Sequence, residues 1–366
     1  MLFHEPIFIF CFLPIFLVTF YLILKYLNLR KALYFLSFSS IIFYGYWNIA
    51  FIPLLIFSII FNFYIGELIE TSGDKKNKKL ILIFGLTINI LTLIFFKYIT
   101  MIIDTVLYWI KLDIDHSPIE LPLGISFFTF LQIAFIVDKY KENIKSYSFL
   151  KYFLFVSFFP HLIAGPLVHH SKLIAQFKTL KSLRVDNLSV GFLIFTIGLF
   201  KKIVIVGSVA PASDNLFNGV AMGLIPSFVD SWVGVLSFSL QIYFDFSAYS
   251  DMAIGLSKMM GILLPINFNS PYKSNSFIDF WRRWHITLST FLREYLYFNL
   301  GGNKKGINRQ YINILIVMSL AGLWHGASWL FVIWGILHGI FLVLNHIVRF
   351  YNLFKIKKII SIPIIF

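Results

Sequence analysis

A chain of 366 residues that is 58% hydrophobic and only 13% charged cannot fold as a water-soluble domain, where the apolar share is about 45–50% and the charged share about 25%. The class is integral membrane protein. Its net charge of +14 falls in short loops between apolar runs, the pattern of cytoplasmic loops and not of a nucleic-acid surface, and its single cysteine, Cys11, excludes an internal disulfide or a multi-cysteine metal site.

The first apolar run, residues 7–27, is long enough to span a bilayer. No basic segment precedes it and no small-residue cleavage site follows, so it reads as a retained span. Lys25, Arg30 and Lys31 follow and place that end in the cytoplasm. Residues 32–47 and 51–69 form a pair joined by a very short outer turn. The basic loop 73–79, GDKKNKK, is again inside, and 80–96 runs outward. Residues 104–120 are then expected outside, and they carry Asp104, Asp113, Asp115 and Glu120 against Lys111 alone. Residues 121–137 return to Lys139, Lys141, Lys145 and Lys151. Three basic loops fit one orientation.

Beyond that loop the regular spacing breaks down. Residues 152–163 are too few to span, end in PHLIAGPLVHH and have basic residues on both sides, including Lys172, Lys178, Lys181 and Arg184. They read as a re-entrant segment, which survives at membrane depth only when protein or a wet cavity covers it. Residues 188–209 are interrupted by Lys201 and Lys202 and are expected to form a broken or tilted helix. Residues 225–246 and 247–264 follow as two segments carrying Asp245 and Asp251, which are read as ion-pair partners for Lys201, Lys202 or an arginine, ahead of the alternative that they line a proton path. The fold class expected is all-α: a single polytopic transmembrane bundle with re-entrant and interfacial amphipathic helices. Its N-terminal spans occupy 1–120, its core 121–346 and a short end 347–366.

Residues 280–298 place Phe280, Trp281, Trp284, Leu288, Phe291, Leu292 and Tyr295 on one face of a helical wheel. Arg282, Ser289 and Arg293 share the other face, with His285 at its border. One reading is an interfacial anchor with snorkelling arginines. The other is a phosphate-binding face, because guanidinium groups suit phosphate by bidentate geometry; Arg282, Arg283, Arg293 and Ser289 are then the residues expected to hold the phosphates of a ligand. After the basic loop GGNKKGINR comes His325, in an apolar run between Gly322 and Gly326 and beside Trp324 and Trp329. An ionisable group there is a functional candidate by default, suited to a general base acting on a thiol or hydroxyl. The alternative is a core histidine bonded across helices. His338, thirteen positions on, falls about 140° away on one ideal helix, so no shared face is expected. His169 and His170 are expected to point apart and His161 to face a re-entrant cavity. No metal site is expected.

Motifs now accumulate in a recognisable order: LPLGISFFTF (121–130), IAGPLV (163–168), IYFDFSAYSDMAIGL (242–256), LPINFNSPY (264–272), DFWRRWHITLSTFLREYLY (279–297), LGGN (300–303) and GLWHGASW (322–329). Together they resemble the membrane-bound O-acyltransferase family, in its bacterial branch of alginate and peptidoglycan O-acetylation proteins. The resemblance implies a catalytic His325 in the WHG motif, with His285 of RRWH as second residue. It implies acetyl-CoA as acyl donor substrate with no bound cofactor, and a multi-pass protein of the bacterial inner membrane. It also implies an extracytoplasmic polysaccharide acceptor and a periplasmic partner acetyltransferase of the SGNH type. Ala248 replaces the glycine of the common FSGYSD pattern, a small change expected to be tolerated. The last apolar run, IISIPIIF, is too short to span; the expectation is a shortened member lacking later spans, with activity in question. The rival readings are D-alanyl transfer from a carrier-protein thioester and, from another class, a transporter or acyl channel, for which the inverted repeats of transporters are not found.

Overall fold

The computed structural model describes residues 1–114, 116–142, 144, 147–180 and 184–351. Asp115, Lys145, Lys181 and the run 359–366 lie outside the described residues. Among those described, every regular element is helical. In chain order they are α1 (Phe8–Tyr26), α2 (Leu29–Gly45), α3 (Ile49–Thr71), α4 (Lys75–Ile110), α5 (Ile125–Glu142), α6 (Phe149–Ser157), α7 (Phe159–Leu162), α8 (His170–Phe177), α9 (Val185–Ala221), α10 (Phe228–Met259), α11 (Phe277–Arg283), α12 (Ile286–Phe291), α13 (Ile307–His325) and α14 (Trp329–Phe350). Helices α1, α3, α4, α9 and α14 are long and apolar enough to cross a membrane; the chain is an all-α, multi-pass membrane protein.

The structure divides into two compact units, Met1–Ile60 with Tyr147–Ile266 and Phe61–Ser146 with Asn267–Phe366. In the first, α9 lies against α10 along small residues. A Cβ on Gly191 would stand 2.7 Å from the Gly255 carbonyl oxygen, and one on Gly198 would stand 2.8 Å from that of Ala248. Small residues at a repeat of seven on both helices allow this approach, the usual device where lipid supplies no hydrophobic drive between helices. Ala248 itself is fully buried. Two expectations are corrected here. Residues 188–209 are not a broken helix: α9 runs through them, with a π-turn at Lys201–Val206. The split at 246–247 is also absent, because α10 is one helix of 32 residues. The wide π-turn sends adjacent lysines to one neighbour, so Lys201 pairs with Asp251 and Lys202 with Asp245, each at 2.6 Å. Satisfied charges remove the reason to break either helix.

The short α6 and α7, parted at Phe158, replace a span and keep the irregular backbone under protein. Tyr152 and residues 154–162 are buried, and His161 donates from Nε2 to the Phe155 carbonyl at 2.8 Å. Its role is to satisfy this bend. Gly165 is required, since its Cβ would fall 2.4 Å from the His161 Cα. His169 and His170 do not point apart: their ring centroids are 4.2 Å apart. His169 caps α8 at Ser171 N–H, and His170 Nδ1 meets the Tyr147 hydroxyl at 3.1 Å.

In the second unit, α4 and α5 pack through Gly85, whose Cβ would meet Ile65 at 2.8 Å and Ile136 at 3.2 Å. The buried amides of Asn62 and Asn89 bond each other in both directions, at 3.2 and 2.7 Å. Helix α4 does not end at Phe96. It passes through a π-turn at Ile94–Tyr98 and continues to Ile110, so Asp104 is helical and not the start of the outer loop. Lys111, at φ 54°, ends it. At 1.5 Å per residue α4 is about 54 Å long, beyond a hydrocarbon core of about 30 Å.

Candidate functional site

Helices α13 and α14 form a hairpin in the second unit. Gly322 makes their close crossing possible: a Cβ there would lie 2.1 Å from the Phe331 carbonyl oxygen, and one on Gly335 would lie 2.3 Å from that of Met318. Helix α13 stops at His325 because Gly326 turns extended (φ −162°, ψ 151°). Ser328 then caps α14 by accepting from Leu330 N–H. His325 therefore occupies a helix end and not the interior of an unbroken span. It is exposed, with the rings of Trp324, Trp334 and Phe331 at 4.9, 5.1 and 6.5 Å.

On α14 the residues Phe331, Trp334, His338, Phe341 and Asn345 recur at steps of three and four, which is one helix stripe. Helix α11 lies along it. Phe277 stacks on Phe341 at 4.8 Å, Ile278 N–H donates to Asn345 Oδ1 at 3.2 Å, and Trp281 meets His338 at 5.4 Å and Trp334 at 6.1 Å. On one ideal helix about 140° would separate His325 and His338, but the residues sit on two helices. Trp334 touches both rings, His338 at 4.4 Å and His325 at 5.1 Å.

The single amphipathic helix expected over 280–298 is in three pieces: α11, α12 and a π-turn at Leu292–Tyr297. The break falls at His285, which has φ 40° and ψ 55°. A non-glycine residue in this region is strained and is held by its surroundings. Here the hold comes from the LPINFNSPY segment: Ile286 N–H donates to the Asn267 carbonyl at 2.9 Å, and Asn269 N–H to that of Arg283 at 3.0 Å. The Asn267 side chain completes it. Its Oδ1 accepts from Thr287 Oγ1 at 3.0 Å and faces His285 Nδ1 at 3.1 Å. A donating Nδ1 cannot also accept Leu288 N–H, which lies at 3.4 Å. The shorter contact puts the proton on Nδ1 and leaves the lone pair on Nε2, a tautomer suited to a base. His285 is fully buried, and that burial, with His325 as the second cause, pushes it down to about 3.

His285 lies 5.9 Å from the Trp324 ring, so the rings run in one file: His285, Trp324, His325, Trp334, His338, Trp281. Both predicted histidines and the discounted one are together. Within this file Trp281 Nε1, Trp324 Nε1 and His338 Nδ1 are buried with no hydrogen-bond partner among the described residues. Buried polar atoms rarely stay unsatisfied, so this part of the file suits a polar guest.

The arginines do not form one face. Arg283 is bound to Asp279 at 2.9 Å, and the Ser289 hydroxyl donates to the Trp284 carbonyl at 3.3 Å. Arg282 and Arg293 are exposed on different pieces of the broken helix. His346 and Arg349 line a cavity of about 240 Å³ with Gln310, Tyr311 and Ile307.

Lys97 was not foreseen. It directly follows the span expected to end at Phe96, although a lone cation between apolar runs is itself a functional signal. The π-turn of α4 points Lys97 and Tyr98 at the end of α13. Lys97 Nζ donates to the Trp324 carbonyl and, at 3.2 Å, to Ser126 Oγ. The Tyr98 hydroxyl donates to the Leu323 carbonyl at 3.1 Å.

Four similarities bear on this site. The profile of the membrane-bound O-acyltransferase family matches residues 72–366. A peptidoglycan O-acetyltransferase of Helicobacter pylori is 44% identical, over 93% of this chain and 69% of the relative. A probable alginate O-acetylase AlgI of Azotobacter vinelandii is 40% identical, over 95% of this chain and 69% of the relative. More distant is a teichoic acid D-alanyltransferase of Streptococcus thermophilus, 28% identical over 61% of this chain and 56% of the relative.

Proposed function

The chain belongs to the membrane-bound O-acyltransferase family, and from that premise we propose that it moves acetyl groups from cytoplasmic acetyl-CoA toward an extracytoplasmic polysaccharide. The observation that carries this reading is the meeting of His325 and His285 on either side of Trp324, brought from separate motifs. The relatives named for acetyl transfer to peptidoglycan and alginate support the acceptor class.

His325 is the accessible member and acts as general base. It takes the proton of the attacking hydroxyl as the new C–O bond forms at the thioester carbonyl. The C–S bond then breaks, and the leaving thiolate takes that proton back from the imidazolium. The reaction needs no further reactant. His285, held by Asn267, supports the same centre. The donor's phosphates fit the exposed cations of this unit. Arg349, which lines a cavity with His346, and the exposed Arg282 are the better-supported cations, since Arg283 is engaged with Asp279; Arg293 and Ser289 are secondary. His346 lies about 26 Å along α14 from its start at 1.5 Å per residue, a distance an extended thioester arm has to bridge. Placement in the bacterial inner membrane and hand-over to a periplasmic SGNH-type acetyltransferase complete the proposal.

The test is labelled acetyl-CoA supplied to proteoliposomes holding peptidoglycan fragments. His325→Ala is expected to abolish acetyl transfer while insertion survives, and retained transfer refutes the reading. Similarity to the D-alanyltransferase supports a second donor, a D-alanyl carrier-protein thioester. Turnover of that thioester without turnover of acetyl-CoA would select it. Solute flux independent of His325 would select a transporter.

A further inference from the structure

A helix that ends leaves its last carbonyls without intrahelical partners, and away from water each one costs free energy unless a donor reaches it. Helix α13 ends at His325, and α4 supplies donors to the two carbonyls just before it. Tyr98 reaches Leu323 and Lys97 reaches Trp324. The same helix also holds the far side of the turn, because Trp329 Nε1, on the first residue of α14, donates to Thr105 Oγ1 at 3.0 Å. The turn carrying His325 is thus tied at both ends to one helix. The π-turn at Ile94–Tyr98 makes this possible by aiming two adjacent side chains at one target, and such turns recur at functional sites.

Tyr98 shows that a neutral hydroxyl can satisfy one of these carbonyls. A lysine in an apolar helix is expensive, so its charge calls for a reason of its own. Two are present. A cation suits the negative end of a helix, and a charge-assisted bond is shorter and stronger than a neutral one. Lys97 Nζ also lies 5.7 Å from the Trp324 ring centroid, within cation–π range. The one residue it grips by both backbone and ring is the neighbour of His325, and that residue also stands between His325 and His285.

We propose that Lys97 is a positioning residue for acyl transfer: its ammonium group clamps Trp324 and thereby fixes the orientation of His325 toward the reacting group. The inference rests on the acyltransferase reading. The test uses full-length protein in proteoliposomes with peptidoglycan fragments and labelled acetyl-CoA. Lys97→Met is expected to lower kcat about 100-fold, the scale of a small misplacement of a catalytic group, with KM for acetyl-CoA within about twofold of wild type. Lys97→Arg, which keeps the charge, is expected to restore most of kcat. Tyr98→Phe, which removes only a neutral donor, is expected to lose little. Lys97→Met at wild-type kcat overturns the proposal, as does a folded Lys97→Arg no more active than Lys97→Met. Should Lys97→Met fail to insert, Lys97→Gln decides: an active Lys97→Gln overturns the proposal and an inactive one that inserts supports it. Should wild type show no turnover above His325→Ala, the acyltransferase reading itself fails. Lys97 is then judged by the rate at which diethyl pyrocarbonate modifies His325, a changed rate in Lys97→Met supporting the clamp and an unchanged rate overturning it.

Discussion

His285 joins most of the site's physical features in one residue. It is fully buried, adopts a left-handed backbone and faces Asn267 through Nδ1. Its neutral form is the one the folded state holds, since burial lowers it from 6.5 to about 3. The sign follows directly. The unfolded chain takes up a proton below about 6.5 and the folded chain does not until about 3, so the unfolded state binds more protons in that window. The stability due to a neutral His285 is complete above 6.5 and is lost as the pH falls toward 3. Thermal unfolding in detergent between pH 6.5 and 4 should therefore show a steeper acid loss for wild type than for His285→Gln. Equal slopes would mean that His285 is not held neutral. The functional candidacy of His285 and His325 was legible in the sequence, because each sits in a dense aromatic motif. The left-handed turn at His285 was not, since nothing about a histidine announces φ 40°. The loop bearing Asn267 creates that turn through bonds that no local pattern contains.

At the scale of elements, the sequence was read well where one face or one charge pattern decides the matter. Short polar punctuation marked the turns, and Asp245 and Asp251, expected to pair with Lys201, Lys202 or an arginine, meet the two lysines. It was read badly wherever a helix changes pitch without ending. The π-turns at Ile94–Tyr98, Lys201–Val206 and Leu292–Tyr297 are not marked by proline and leave apolar composition unchanged. Each shifts every later side chain round the axis; with the break at His285, this separates Arg282, Ser289 and Arg293, which the wheel for 280–298 groups together. The α13–α14 hairpin gives an element-level prediction. Gly322→Ala places a methyl 2.1 Å from the Phe331 carbonyl oxygen, a backbone atom that cannot swing aside. Overpacking of this kind costs about 1–3 kcal/mol and should part the helices that present His325. The variant should melt earlier and turn over acetyl-CoA more slowly; unchanged melting and turnover would mean the hairpin is free to adjust.

For the whole molecule, the question is orientation. Basic loops at 73–79 and 303–309 and the acidic segment about Asp113 predict which ends face the cytoplasm. Cys11 is the only cysteine, so a Cys11→Ser background gives a clean test. A cysteine at Asn77 or Asn303 should react with a membrane-impermeant thiol reagent only from the cytoplasmic side, and one at Asp113 only from the outer side. Labelling in the reverse sense would invert the proposed path of the acyl group. The length of α4, about 54 Å at 1.5 Å per residue, means that this helix reaches beyond the hydrocarbon layer. The hold on the His325 turn at Lys97, Tyr98 and Thr105 is thus part of an element with one end at a loop read as cytoplasmic.

The paired charges of α9 and α10 bear on how such a molecule is made. Each helix taken singly carries a close group of like charges within its length, Lys201 and Lys202 on α9, Asp245 and Asp251 on α10, apart from Asp186, Asp214, Asp230 and Lys258 nearer the helix ends. Either one released alone into lipid would bring its charges without their partners, at several kcal/mol for the two. The pair becomes tolerable only once Asp251 has been synthesised. Leaving the translocation channel together, α9 and α10 would carry these four ions already paired.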